Sequence, residues 1–277
     1  MGFRIATNVQ SLTAQRALSK ISKQEQTTTS QLSSGNRITK SSDDSAGLAI
    51  SEKLRANIRS SQQANRNAND GISMIQVAEG GLDESANILI RLRELSIQSA
   101  SDTVGETERG YTDMEFQQLK SELQRISQTT EFNDVKLLDG SSDKLDFQIG
   151  ANNDDFEDRI VYDPGKLNSG LSALGLDGEE IATKEGAQGS LNKIDDAINT
   201  VSGQRAELGA LQNRLITTSN NLETSVENMS AANSRIRDVD YAEVTAKNTQ
   251  NNIMKQAGIS VLSQANQTPQ QAIRLIG

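Results

Sequence analysis

The segment LNKIDDAINTVSGQRAELGALQNRLITTSNNLETSVENMSAANSRI, residues 191–236, decides the fold of this chain. Alternating steps of three and four residues from Leu191 to Ile236 reach Leu, Ile, Val or Met at most positions, and Arg205, Gln212, Ser219 and Asn233 are the exceptions. An apolar residue at an average spacing of 3.5 marks a helix that packs along its length against another long helix. This repeat predicts an elongated, mainly α bundle of antiparallel long helices, with the character of a coiled coil.

A second long helix is predicted upstream, over residues 48–100. Its apolar residues recur at steps of three and four: Leu54, Ile58, Ile72, Ile75, Leu82, Leu89 and Leu92. Residues 102–110 are expected to form a loop. A shorter helix then carries Phe116, Leu119, Leu123 and Ile126.

The middle of the chain changes from a helical to a strand pattern. Leu145, Phe147 and Ile149 alternate with polar residues, and residues 159–162 are suited to a returning strand. Turn-forming residues lie between these two stretches. We therefore predict one or two small β-hairpins as an insert between the two halves of the bundle.

The two ends of the chain carry thin apolar stripes. The stripe of residues 1–32 consists of Ile5, Val9, Leu12, Leu18 and Ile21, and that of residues 242–277 of Val244, Ile253, Val261, Leu262 and Ile273. Pro269 is expected to kink or end the last helix. So few apolar side chains offset little of the entropy lost when the segments become ordered. Each end should therefore gain order only when neighbouring copies cover it, although docking of both stripes onto the long helices of one monomer stays open.

The composition excludes several classes of function. Only 34% of the residues are hydrophobic and 3% aromatic, so a thick multilayer core is not expected. A net charge of −9 argues against nucleic-acid binding, which needs a basic surface. His and Cys are both absent, which removes the commonest acid/base residue, the commonest metal ligand and all thiol chemistry. We expect no enzyme, no cofactor and no metal, and no secretory signal is recognised at the start.

Two acidic motifs are weighed against a structural role. Asp43-Asp44 could be a paired-carboxylate site, but without His the two residues better suit a turn and a helix N-cap. Residues 152–158 could bind calcium, but they lack the Gly and the terminal Glu of an EF-hand loop. We favour a solvated acidic turn.

An ordered set of motifs at both ends of the chain closely resembles the bacterial flagellins. The N-terminal motifs are LSSGNRI at 32–38, DDSAGLAI at 43–50, QANRNANDGIS at 63–73, AEGGL at 78–82 and RLRELSIQSA at 91–100. The C-terminal motifs are SRIRDVDYA at 234–242 and SVLSQANQ at 260–267. The resemblance covers about residues 1–140 and 186–277. Asn133-Asp134 departs from it, because similar sequences often have Asn-Gly there.

The resemblance implies a subunit that self-assembles into the flagellar filament used for swimming. The terminal helices, residues 1–32 and 242–277, would pair as a coiled coil in an inner tube on polymerisation. Residues 33–47 and 235–241 would be spokes, 48–130 and 186–234 the rod helices, and 131–185 the hairpin region. The spoke residues singled out are Gly35, Arg37, Asp43, Asp44, Arg235, Arg237 and Asp238.

The resemblance also implies partners and a location. The expected partners are further copies of the chain, other flagellins, filament cap and hook-associated proteins, and an export chaperone at the C-terminal helix. Secretion would proceed through the flagellar export apparatus without a cleaved signal peptide, to the extracellular filament. Arg91, Leu95 and Glu115 match a surface patch that an animal innate receptor senses in related flagellins, although contact with neighbouring subunits on the rod is the favoured reading.

Two other functions are kept as alternatives. A hook–filament junction protein shares similar ends but usually matches residues 69–72 and 78–81 less well. A secreted enzyme on a helical scaffold would need activity that is lost on Asp43→Asn and Asp44→Asn while assembly survives.

Overall fold

The structure is a computed structural model that describes the backbone of residues 7–276 and the side chains of residues 7–267. Its helices are α1 (Val9–Ser34), α2 (Ser45–Ala100), α3 (Glu106–Thr129), α4 (Lys184–Arg237) and α5 (Tyr241–Ile276). Its strands are β1 (Glu131–Phe132), β2 (Val135–Lys136), β3 (Leu145–Gln148) and β4 (Arg159–Tyr162), followed by a 3₁₀ turn, Pro164–Lys166. The predicted mainly α class with a small β insert is confirmed.

The chain forms two compact units. The first unit comprises Met1–Ala56 and Asn228–Gly277, and the second comprises Asn57–Glu227. The first unit therefore contains α1, α5 and the adjoining ends of the two long helices. The second contains most of α2 and α4, together with α3 and both hairpins.

In the second unit, α2 and α4 run antiparallel. The Ser190 hydroxyl lies 3.2 Å from that of Ser96, and Ser219 donates to the side-chain amide oxygen of Asn65 at 2.5 Å. Residue 96 near the C-terminal end of α2 meets residue 190 near the start of α4, whereas the earlier residue 65 meets the later residue 219. This order is that of antiparallel helices. The core between α2, α3, α4 and the hairpins includes Leu82, Leu89, Leu92, Phe116, Leu123, Ile194, Val201 and Leu208.

The buried stripe of α4 differs in part from the prediction. Its members follow steps of three and four: Ala187, Ser190, Ile194, Ala197, Val201, Gln204 and Leu208, with Leu215 and Ser219 further on. The predicted positions 194, 201, 208 and 215 are correct, whereas Ile198 and Arg205 lie half-buried at the flank. Arg205 reaches the Asp83 carboxylate at 2.8 Å instead. The sequence rule favoured large apolar side chains, but the small Ala197 can face a neighbouring helix more closely than Ile198 can.

One or two hairpins were predicted, and two are present. Strands β1 and β2 pair Phe132 with Val135, and β3 and β4 pair Phe147 with Ile160. The Phe147 and Tyr162 rings stack at 6.2 Å between centroids. A Cβ placed on Gly71 would lie 3.2 Å from the Phe147 ring, so this helical glycine permits the hairpin to approach α2.

Several element boundaries differ from the predicted ones. Helix α1 continues to Ser34 and α4 to Arg237, so the irregular segments are 35–44 and 238–240 rather than 33–47 and 235–241. Helix α3 begins at Glu106 inside the predicted loop. Helix α5 runs to Ile276, so Pro269 does not end it. The α1 boundary has a clear cause: Gly35 adopts a left-handed conformation, φ 70°, and its N–H caps the Gln31 carbonyl.

Gly80 and Gly81 are neighbours on α2 with opposite surroundings. A Cβ on Gly80 would meet nothing within 4 Å, whereas one on Gly81 would lie 2.7 Å from Leu138 Cδ1 and from Thr130 Oγ1. Leu138 is fully buried and cannot easily move away.

We predict that Gly80→Ala raises the free energy of unfolding by about 0.5–1 kcal/mol, because alanine loses less backbone entropy in a helix. Gly81→Ala should lower it, and urea unfolding of both variants would check the difference in sign.

The β1–β2 turn holds Asn133 and Asp134 at φ 51° and 65°. Positive φ at both central residues is the geometry that favours Asn-Gly. Asp134 thus adopts a left-handed conformation, which aspartate tolerates less readily than glycine does. We predict that Asp134→Gly stabilises the protein by about 1 kcal/mol, measured by thermal unfolding. Asp143→Gly, which removes the same charge from an exposed position with ordinary φ, should give no gain; equal effects of the two would contradict the strain argument.

Candidate self-assembly surfaces

The seam between α1 and α5 is largely polar. Ser11 donates to the side-chain amide oxygen of Asn266 at 2.9 Å, and Thr28 donates to that of Asn248 at 3.1 Å. Ser11, Thr28 and Asn251 are buried although their side chains are polar. Such contacts fix the register of two helices but contribute little net stability. The polar seam therefore defines which residues of α1 and α5 meet, but it adds little to the stability of the helix pair.

Charged and small residues complete this seam. Lys255 Nζ lies 2.7 Å from the Glu25 carboxylate, and a Cβ on Gly258 would lie 3.2 Å from Leu18 Cδ1. Val244 and Ala265 are buried. Both helices thus contribute single apolar side chains between polar ones, and this arrangement excludes a continuous hydrophobic interface.

The apolar face predicted for each terminal helix is divided into two faces. Leu18 and Ile21 on α1, and Val244 and Leu262 on α5, lie at or beside the seam. The other predicted residues point away from it: Val9, Leu12, Ile253 and Val261 are 62%, 44%, 62% and 56% exposed. Ile5 and Ile273 lie outside the residues whose side chains the structure describes. The terminal helices therefore present apolar side chains that no described residue of the same chain covers fully.

Sequence reasoning missed two features of these helices. Ile259 is 52% exposed and belongs with the outward apolar residues. The seam of α1 follows steps of three and four through Ser11, Ala14, Leu18, Ile21, Glu25 and Thr28. That regular spacing was the available signal. It was overlooked because half of its members are polar.

The two irregular segments of the first unit are joined to each other. Asn36 and Asp238 form an antiparallel β-bridge, and the Val239 N–H donates to the Gly35 carbonyl at 3.1 Å. The Arg37 N–H donates to the Arg237 carbonyl at 2.6 Å, and the Arg37 guanidinium donates to the Ile236 carbonyl. The predicted spoke residues Gly35, Arg37, Arg237 and Asp238 are thus brought together. Arg235 lies exposed in the last turn of α4.

The two adjacent aspartates cap turns. One Asp43 oxygen accepts from the N–H groups of Thr39 and Lys40, and the Lys40 N–H is the main reason that the pKa of Asp43 is lowered. Asp44 accepts from the Gly47 N–H at 2.8 Å, at the start of α2. Their carboxylates serve local backbone geometry, which is the structural reading favoured from sequence.

An ion pair adds to this junction. Arg237 lies 2.5 Å from the Glu52 carboxylate, and this hydrogen bond lowers the pKa of Glu52. Both residues belong to the first unit, one at the start of α2 and the other at the end of α4. The link therefore holds together the ends of the two long helices.

Of the three residues predicted to form a surface patch, Leu95 is buried instead. Arg91 is exposed and pairs with Glu115 at 2.7 Å, but Leu95 is only 1% exposed and belongs to the core of the second unit. On α2, residue 95 lies on the same face as the buried Leu92 and Ser99. The exposed patch consists of Arg91, Glu94 and Glu115, and Arg91 forms an ion pair with each of the two glutamates.

In the acidic turn at 152–158, two carboxylates accept hydrogen bonds from backbone N–H groups of the same turn. Asp158 accepts from the N–H groups of Asn152 and Asp154, and Asp154 accepts from those of Phe156 and Glu157. Among the residues that the structure describes, no group of three or more acidic side chains is placed to hold a metal ion. Within the same residues, no helix combines the length and the apolar character needed to cross a bilayer.

Comparison with known proteins identifies the same two regions. The family model of the bacterial flagellin N-terminal helical region matches residues 5–143, and that of the C-terminal helical region matches residues 191–276. A flagellin of Halalkalibacterium halodurans is 45% identical over 269 residues, covering 97% of this chain and 98% of the relative. A flagellin of Bacillus subtilis is 41% identical over 305 residues, with 99% of each chain covered.

A solved structure agrees. The crystal structure of Bacillus cereus flagellin matches with a TM-score of 0.50 and 28% identity, covering 61% of this chain and 94% of that one. Family models over most of the chain, near full-length relatives and this fold all lead to one conclusion. The chain belongs to the bacterial flagellin family, the structural subunits of the flagellar filament.

Proposed function

We propose that this flagellin couples the ordering of its terminal helices to the addition of each subunit at the growing filament tip. The observation that carries the proposal is the arrangement of α1 and α5. Their mutual seam is polar, while Val9, Leu12, Ile253, Ile259 and Val261 face outward. Burial of those outward side chains against neighbouring copies would supply the stabilisation that the seam lacks.

The proposal assigns a role to each segment. Residues 1–32 and 242–277 form the inner tube, and residues 33–47 and 235–241 act as spokes. Residues 48–130 and 186–234 form the rod, and the hairpin region 131–185 lies on the filament surface. The division of the chain into two compact units supports a separate terminal module. The bridge between Asn36 and Asp238 supports treating the two spokes as one joint.

Export and partners follow from the same features. We propose secretion in an unfolded form through the flagellar export apparatus, and the absence of cysteine supports this because no disulfide has to be opened. An export chaperone would cover the outward side of α5 around Ile253 and Val261. Filament cap and hook-associated proteins would contact the same terminal helices at the ends of the filament. The patch of Arg91, Glu94 and Glu115 is proposed as a contact between neighbouring rods.

The hook–filament junction protein is the weaker candidate, because the near full-length relatives are flagellins. A strain that lacks this chain separates the two roles. Loss of a filament subunit leaves a bare hook, whereas loss of a junction protein leaves a hook and secreted flagellin monomer. Electron microscopy together with analysis of the culture medium distinguishes these phenotypes.

Ile253→Ser tests the outward face directly. Burial of one Ile against a neighbour is worth about 1.5–3 kcal/mol, so the substitution should raise the critical concentration for elongation from filament seeds by about 10-fold or more. Sedimentation of polymer at a series of subunit concentrations gives this value. Asn252→Ser, which truncates the adjacent exposed polar residue, is the control and should leave the value unchanged. Equal behaviour of the two variants would remove the outward face from the assembly interface.

Deletion of a whole terminal segment gives a broader test. Chains that lack residues 1–32 or 242–277 should fail to extend seeds, while far-ultraviolet circular dichroism still shows a folded helical remainder. Extension at the rate of the full chain would refute the proposal.

A further inference from the structure

Opposite charges are segregated between the two units. The first unit has 13 Lys and Arg against 7 Asp and Glu, whereas the second has 15 against 30. An overall charge of −9 therefore conceals a basic terminal module. Since the proposed function brings many copies of this module side by side, its charge opposes assembly unless anions neutralise it.

Three of these basic residues line a groove between α1 and α5. The groove has a volume of about 590 Å³. It is lined by Lys20, Lys23, Gln24, Thr27 and Thr28 of α1 and by Lys247, Gln250, Asn251 and Met254 of α5. Hydroxyl and amide groups therefore accompany three ammonium groups. The ammonium and amide groups can donate hydrogen bonds to an oxyanion. The hydroxyls of Thr27 and Thr28 already donate to the Lys23 backbone carbonyl and to the Asn248 side-chain amide oxygen.

Within the described part of the chain, two of the three lysines have no partner for their charge. Lys247 is paired with Glu243, and the nearby Glu25 is paired with Lys255. Among the described residues, neither Lys20 nor Lys23 forms an ion pair or a hydrogen bond through its ammonium group. Arg16 lies one turn before Lys20 on the same face of α1, and it adds a further positive charge. The groove thus has uncompensated positive charge on one wall.

We propose that this groove binds a multivalent inorganic oxyanion of the phosphate or sulfate class. Lys20 and Lys23 contact the anion from one side, and Gln250 and Asn251 donate from the other. A divalent anion offsets charge on both helices at once, which monovalent chloride does less well. The bound anion would reduce repulsion between terminal modules in the filament, and this consequence, unlike the site itself, rests on the proposed function.

The test uses full-length protein elongated from seeds and then pelleted in radiolabelled inorganic phosphate at constant ionic strength. Wild-type filaments should retain phosphate saturably, near one per subunit. The double variant Lys20→Gln/Lys23→Gln should bind at least 10-fold more weakly. The matched control Lys40→Gln/Lys53→Gln removes the same charge from the same unit, outside the groove, and should bind as the wild type does. Equal weakening in both variants, or retention that does not saturate, would show general charge screening and overturn the proposal.

A second measurement needs no variant, in case the groove variant does not polymerise. Phosphate should protect Lys20 and Lys23 of wild-type filaments from acetylation by an amine-reactive ester by at least 5-fold relative to Lys40 and Lys53. Uniform protection would contradict a specific site. Protection by phosphatidylglycerol vesicles but not by inorganic phosphate would identify a lipid headgroup instead and overturn the free-anion assignment. Filaments that form but bind no phosphate would refute this inference alone, whereas failure of the wild-type chain to extend seeds would refute the proposed function.

Discussion

The seam between the terminal helices is the constraint on which the rest of the structure depends. Hydroxyl, amide and charged side chains join α1 to α5 at Ser11–Asn266, Thr28–Asn248 and Glu25–Lys255. Polar contacts of this kind specify which residues meet, but their net contribution to stability is small because water satisfies the same groups in the unfolded chain. Val9, Ile253, Ile259 and Val261, which could add apolar burial, lie on its outer faces instead. Such a terminal module has apolar surface available for contact with neighbouring copies of the chain. Its own seam stabilises it only weakly.

The second unit follows the opposite rule. Its long helices bury a continuous stripe, from Ala187 to Leu215 on α4, against α2, α3 and the hairpins. Such a core can be stable in a single chain, since most of the large apolar residues are fully enclosed. The junction around Gly35, Arg37 and Asp238 uses main-chain pairing and caps rather than apolar burial. The chain therefore combines a self-sufficient unit with a terminal unit for which we propose completion by assembly.

The sequence predicted the fold well wherever large apolar residues mark the period. The long helices, the β3–β4 hairpin and the terminal helices were all anticipated from spacing. The prediction failed where small or polar residues occupy the buried positions: Ala197 and Gln204 replaced Ile198 and Arg205 in the stripe of α4. Leu95 was assigned to the surface by resemblance, although its helical position places it in the core. On α1, apolar spacing assigned Val9 and Leu12 to the same face as Leu18 and Ile21. The face that is buried in the structure includes the polar Ser11, Glu25 and Thr28 instead of Val9 and Leu12.

Amide hydrogen exchange of the full-length monomer and of the filament tests the central claim most directly. The account predicts rapid exchange throughout α1 and α5 in the monomer, slow exchange in the buried parts of α2, α3 and α4, and strong protection of both terminal helices after polymerisation. Terminal helices that are as well protected in the monomer as the core helices would contradict it, because the polar seam alone would then suffice to hold them.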